Sequence, residues 1–157
     1  MEKIIIASTE TLVPLHKAEH EPYEFTKYVV TPRQDFDDCY VAFMEIPPLK
    51  ANYPMHYHMT STEVFYIISG CGMLETPEGG REIRTGDVIV FPHSQPEAAH
   101  RLINTSATEP LKYIDFDTVK PADIIHYPKS EKTGIIIHNQ ERAFYKDGTD
   151  VEYYDGE

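Results

Sequence analysis

The chain has 157 residues, 41% of them hydrophobic, and a formal net charge of −12. That length suits one domain with its own core, and the apolar content excludes a disordered segment. The acidity argues against nucleic acid, which needs a basic face, and against multiply phosphorylated ligands, which want clustered Arg or Lys.

The N-terminus offers only Ile4-Ile5-Ile6 as an apolar run, too short for a signal-peptide core or a membrane span, so the cytosol is the expected compartment. There, Cys39 and Cys71 are expected to stay unpaired, as small buried side chains. Residues 1–38 read as an irregular arm with a short strand at Tyr28-Val29-Val30 and a loop from Thr31 to Asp38. From Cys39 the pattern changes. CYVAFMEI (39–46), EVFYIIS (63–69), DVIVFP (87–92), AAHRLIN (98–104) and LKYIDFD (111–117) are rich in β-branched and aromatic residues, with Gly and Pro between them. No window carries a sustained helical period. Beyond them, a helical turn is expected near Pro121-Ala122-Asp123 and a strand at Gly134–His138. A hairpin of 143–145 with 151–154 is expected to turn at Lys146-Asp147-Gly148-Thr149. Repeated short strands with turn signals predict an all-β sandwich or barrel.

Three of the eight histidines stand in an informative arrangement. His56 and His58 are two apart, so on an extended segment after Pro54 they share a face. Four residues then separate His58 from Glu63. If those four form a hairpin loop, Glu63 lies directly opposite His58 on the same face, with Phe65 and Ile67 inward behind it. His100 sits on the AAHRLIN run between the inward neighbours Ala98 and Leu102, where a buried imidazole needs a partner. His16, His20, His93, His126 and His138 match no ligand spacing, and Tyr57 should face away from the ligands. Tyr40, Tyr53, Phe65 and Tyr113 are candidates for the pocket mouth, with Gln95 and Arg101 as candidate substrate contacts.

His56-Tyr57-His58-(x4)-Glu63-(x6)-Gly70 resembles the first motif of the cupin superfamily. Gly86-(x5)-Pro92-(x7)-His100-(x3)-Asn104 resembles the second. The departures are Lys50 where the first motif opens with Gly, Ser94 where the second has Gly, and a longer run between Pro92 and His100. A shorter run would put Glu97 at the ligand position. The tail Tyr154-Asp155-Gly156-Glu157 is similar to that of a group of small uncharacterised cupins.

The resemblance implies a double-stranded β-helix (jelly-roll) barrel with a metal at one mouth, held by His56, His58, Glu63 and His100. The expected organisation is an arm over 1–38, a barrel core over 39–117, and an extension over 118–157 whose β-hairpin packs on the barrel. Three imidazoles and a carboxylate suit one divalent transition metal ion (Fe, Mn, Ni, Co or Zn) and leave positions for substrate. The expected function is a metal-dependent enzyme (oxygenase, lyase or isomerase) on a small oxygen-rich molecule, with Glu63 catalytic. The alternative is a module that binds a small ligand without turning it over. A sugar-phosphate isomerase is disfavoured by the sparse basic residues near the motifs. A homodimer is expected, since cupins commonly pair through strand edges.

Overall fold

The computed structural model describes residues 4–33, 38–138, 140 and 142–157. Among these residues thirteen strands follow in chain order. The first eight are β1 (Leu15–His20), β2 (Tyr23–Val29), β3 (Cys39–Ile46), β4 (Tyr57–His58), β5 (Glu63–Ser69), β6 (Cys71–Thr76), β7 (Gly79–Arg84) and β8 (Val88–Phe91). Then come β9 (Arg101–Asn104), β10 (Leu111–Thr118), β11 (Ala122–Tyr127), β12 (Lys132–Ile137) and β13 (Ala143–Lys146). Among the described residues the one helical element is the single turn Pro96–Ala98. No described helix is long and apolar enough to cross a membrane.

The strands form three sheets, ordered β1-β2-β3-β10-β5-β8, β13-β12-β11-β4 and β7-β6-β9. Alternation places the core. Tyr40, Ala42, Met44 and Ile46 of β3 face inward against Leu111 and Tyr113 of β10 and Phe65 and Ile67 of β5. Phe65, Met44, Ile67 and Leu111 are fully buried; each contributes roughly 1.5–3 kcal/mol of transfer free energy. Toward one end of this layer the inward positions turn polar: Asp115 and Asp117 on β10, Glu63 on β5. The candidate site lies there.

Within the N-terminal arm, residues 15–29 are not irregular. β1 and β2 form a hairpin that extends the large sheet, with β2 in register against β3 from Thr26↔Glu45 to Val29↔Ala42. Its inward set is Phe25, Lys27 and Val29, and the lysine at a core-facing position breaks the apolar alternation that marks a strand. β1 is charged and exposed along its length, a composition that suits an edge strand. The expected loop over 31–38 falls partly on 34–37, outside the described residues.

β6 and β7 carry too much Gly and charge to read as strands, yet they pair from Cys71↔Arg84 to Thr76↔Gly79. The close approach of β6 to its neighbours uses Gly72, whose added Cβ would lie 2.5 Å from the Ile103 carbonyl oxygen. Ala122–Asp123 is the start of β11 rather than a helical turn, paired through Ala122↔Ile137 and Asp123↔Ile136. The expected partnership of 143–145 with 151–154 does not form: β13 pairs with β12, from Ile135↔Ala143 to Lys132↔Lys146, and 151–154 adds no strand to its outer edge. The Lys146–Thr149 turn is present, with the Thr149 hydroxyl donating to the Lys146 carbonyl at 2.6 Å. Cys71 is exposed and Cys39 half-buried, contrary to expectation: each is on the outward parity, next to inward Gly72 and Tyr40.

Candidate metal centre

His56 and His100 face each other across an isolated antiparallel bridge. His56 N–H donates to the His100 carbonyl at 3.1 Å and His100 N–H to the His56 carbonyl at 2.9 Å. His58 is on β4, which pairs with β11 through Ile125↔His58. Glu63 opens β5 between Phe91 of β8 and Asp117 of β10. The expected hairpin of His58 with Glu63 is therefore absent: the chain crosses from one sheet to the other between them, and convergence comes from that crossing. All four side chains are buried, with His100 fully so.

Their inner atoms meet. Glu63 Oε2 lies 3.9 Å from His56 Nε2, 3.9 Å from His58 Nε2 and 2.9 Å from His100 Nε2. Ligand atoms of His56, His58 and Glu63 all stand within 4.8 Å of one another, and His100 joins them through Glu63. The 2.9 Å approach lacks the direction of a hydrogen bond, so Glu63 Oε2 and His100 Nε2 are both buried without a hydrogen-bond partner.

The outer nitrogens explain what faces inward. His56 Nδ1 bonds the Pro54 carbonyl at 2.9 Å, and His100 Nδ1 the Ala98 carbonyl at 3.0 Å. His58 Nδ1 bonds Asp123 Oδ2 at 2.6 Å. Each partner is an acceptor, so each Nδ1 carries a hydrogen, and each ring in its neutral form turns an Nε2 lone pair to the centre. Three lone pairs and a carboxylate oxygen then converge with no donor among them, an arrangement that fits a cation. Aromatic rings fix the planes: Phe91 stacks on His100 at 3.4 Å between centroids, and Tyr127 on His56 at 5.9 Å.

Burial, reinforced by the neighbouring His100 and His58 imidazoles, pushes His56 down to about 3, so it stays neutral. Burial opposes charge on Glu63, but the His100, His56 and His58 imidazoles overcome it and bring the carboxyl to about 2. Burial also opposes charge on His58, yet the Asp123 hydrogen bond and the Glu63 charge raise it.

Asp123, which sequence reasoning missed, therefore supports the centre. Its Oδ1 accepts from the Thr60 N–H and hydroxyl, each at 2.9 Å. Asp115 and Asp117 were missed as well; ligand atoms of Glu63, Asp115 and Asp117 lie within 4.8 Å of one another. Their parity on β10 was visible, but acidic residues inside a strand read as solvated. Arg33 pairs with Asp117 and its guanidinium lies 4.5 Å over the Tyr40 ring.

The remaining candidates separate clearly. Glu97 is exposed, so the longer Pro92–His100 run is the one that delivers an inward ligand. Tyr57 turns outward against His126, with ring centroids 5.1 Å apart. Tyr53 packs edge-on to Phe25 and His56, and Phe65 edge-on to His100. Tyr113 accepts from the Asn52 amide, deep in the core. Gln95 is exposed, and Arg101 is spent on Glu75 and Tyr23.

Comparison with known proteins bears on the fold. The family model described as Cupin domain matches residues 42–117. A provisionally assigned sugar phosphate isomerase of Acidithiobacillus ferrooxidans superposes with a TM-score of 0.79 over 94% of each chain, at 22% identity. A sugar phosphate isomerase from a cupin superfamily, of Silicibacter pomeroyi, does so with a TM-score of 0.79 over 94% of this chain and 96% of that one, at 16% identity. An uncharacterised protein of Methanocaldococcus jannaschii is 32% identical over 69 residues; the match spans 44% of this chain and 52% of that protein. Such structural likeness speaks for the fold, the double-stranded β-helix of a jelly-roll barrel. The chain is a small cupin-domain protein.

Proposed function

We propose that this protein is a metal-dependent enzyme acting on a small oxygen-rich molecule, with one divalent transition metal ion (Fe, Mn, Ni, Co or Zn) held by His56, His58, Glu63 and His100. The observation that carries the reading is the donor-free convergence of three Nε2 atoms on a buried, unpartnered Glu63 Oε2. The names of the two structures matched along nearly their whole length agree with a polyhydroxylated substrate.

Bound there, the ion supplies Lewis-acid stabilisation of charge on a substrate oxygen. The protein does the rest. Pro54, Asp123 and Ala98 hold the three rings in the ligating tautomer. Glu63, ionised at neutral pH, takes a proton from the substrate and returns it. Phe91, Phe65 and Tyr53 exclude water from the side of the core.

Elemental analysis after purification tests the centre: His100→Ala should lose most of the metal, while His138→Ala keeps it. Unchanged metal in His100→Ala would refute the ligand set. Glu63→Gln tests the catalytic role. Partial occupancy with activity lost far beyond the metal loss is expected; activity per bound metal equal to wild type would leave a metal-binding role alone.

We further propose a homodimer. β8 is an edge strand, and its Val88 and Val90 are 62% and 58% exposed beside outward Tyr66 and Ile68 of β5. A contiguous apolar face at a sheet edge fits a second copy of the same strand.

A further inference from the structure

Beside the centre lies a cavity of about 280 Å³ whose lining includes His58, Asp123 and Ser61, with β12 residues Ile136 and Ile137 across from them. Its charged lining is unlike the rest of the molecule. Arg33, Lys120 and Arg142 all reach it, and Asp123 is its one carboxylate among the described residues. The chain as a whole is acidic, at −12, so a described lining of three cations and one carboxylate, with Asp117 behind it on Arg33, is locally the more basic. Asp123 is moreover committed: Oδ2 to His58 and Oδ1 to Thr60. Arg33 is held in the cavity lining by its pair with Asp117 and by the Tyr40 ring, which among the described residues leaves most of its five donors unspent. Lys120 and Arg142 make no ion pair among the described residues. The neutral amide of Gln140 completes a polar rim.

We propose that this cavity is an oxyanion subsite, which takes a phosphate or carboxylate group of the substrate next to the metal centre. The proposal deepens the reading of a metal-dependent enzyme and rests on it for the word substrate. The anion site itself stands on the cavity and its cations. Two guanidinium forks and an ammonium match the oxygens of phosphate or carboxylate. The volume falls just below the ~300–1,000 Å³ of drug-sized sites, which suits a small metabolite. It also reverses the expectation that basic residues are too sparse for a phosphorylated sugar. They are sparse near the motifs because they come from elsewhere: Arg33 from the arm, Lys120 from the β10–β11 connection and Arg142 from the segment before β13.

The test is calorimetry on the full chain, metal-free and metal-loaded, with inorganic phosphate and acetate as separate probes and chloride as the competing salt. Phosphate should bind the metal-free protein, and the Lys120→Ala, Arg142→Ala double variant should weaken it by ~10-fold or more, the loss expected for charge-assisted bonds. Lys129→Ala, whose lysine pairs with Glu75 outside the cavity, should leave it unchanged. Tighter binding of phosphate than of acetate marks a phosphorylated substrate; the reverse order marks a carboxylate. Phosphate affinity unchanged in the double variant overturns the proposal. So does phosphate binding that appears only with metal, since the anion would then sit on the ion. Failure of the wild type to take up metal refutes the metal reading instead, and leaves the anion titration of the metal-free protein to decide the subsite.

Discussion

Asp123→Asn tests how the metal centre is held. In the wild type, the 2.6 Å bond from His58 Nδ1 to Asp123 Oδ2 fixes the hydrogen on Nδ1, while Oδ1 accepts two bonds from Thr60. An asparagine cannot serve both. With its amide oxygen toward Thr60, its NH2 meets His58 Nδ1; the ring must then carry its hydrogen on Nε2, where no ion can bind. With the amide turned over, His58 keeps its tautomer, but the NH2 faces the Thr60 N–H, a donor against a donor. Either way a buried bond is lost. Loss of such an outer partner costs ~10–100-fold in metal affinity, or about 1.4–2.7 kcal/mol at 1.36 kcal/mol per decade. Competitive metal titration at pH 7.5 measures it, with circular dichroism confirming the fold. Thr60→Val keeps the Asp123–His58 bond and should lose less than the Asn variant. Unchanged metal affinity in a folded Asp123→Asn protein would refute the claim that Asp123 sets the tautomer of His58.

Proton release on metal binding should come from His58, raised by Asp123, and not from His56, which burial holds near 3. Affinity therefore falls as pH drops through the His58 pKa, above 6.5. Calorimetry in two buffers of different ionisation enthalpy should show a release that shrinks in Asp123→Asn; an equal release refutes the assignment. Gly70 has φ near +89°, and a Cβ there would lie 2.7 Å from the Pro110 carbonyl oxygen. Gly70→Ala should cost about 1–3 kcal/mol with unchanged metal affinity, read by thermal melting. Val88→Lys with Val90→Lys should give a monomer by light scattering while wild type is a dimer; a wild-type monomer at high concentration rejects the pairing.

What the sequence discloses about this site depends on chain distance. His56, His58 and Glu63 lie within eight residues, so period and spacing suffice to group them. Asp123 reaches His58 only because β11 pairs with β4, a partnership between segments some sixty residues apart that no local pattern encodes. The same holds for Asp115 and Asp117, whose company is set by the β5–β10–β3 register. Lys27 shows the opposite failure. It occupies a core-facing position of β2, so the substitution that makes the strand polar also hides the strand. Val151–Tyr154 has the composition of a strand but pairs with no described residue, although β13 is the outer strand of its sheet: propensity alone does not make a strand.

Glu63 belongs to two groups at once, the imidazoles on one side and Asp115 with Asp117 on the other. Without an ion the second group is costly. Burial first, then the charges of Asp117 and Glu63, push Asp115 well above its usual 3.8, and its Oδ1 has no partner. The native state thus keeps a proton that the unfolded chain releases above 3.8, so metal-free stability falls as pH rises beyond that point until the native carboxyl ionises. Asp115→Asn removes the titration. Relative to wild type, the metal-free variant should melt at about the same temperature near pH 4 and higher at pH 8. Removing an unpartnered buried carboxylate recovers ~1–3 kcal/mol, or about 2–12 °C for a chain of this size. An ion beside Glu63 offsets the same repulsion, so metal should raise the midpoint of wild type more than that of Asp115→Asn at pH 8. Metal at a hundred times its dissociation constant adds about 2.7 kcal/mol to the wild type. Equal metal-induced shifts in the two proteins, together with equal metal-free midpoints at pH 8, would show that Asp115 carries no strain and that the two groups around Glu63 are independent.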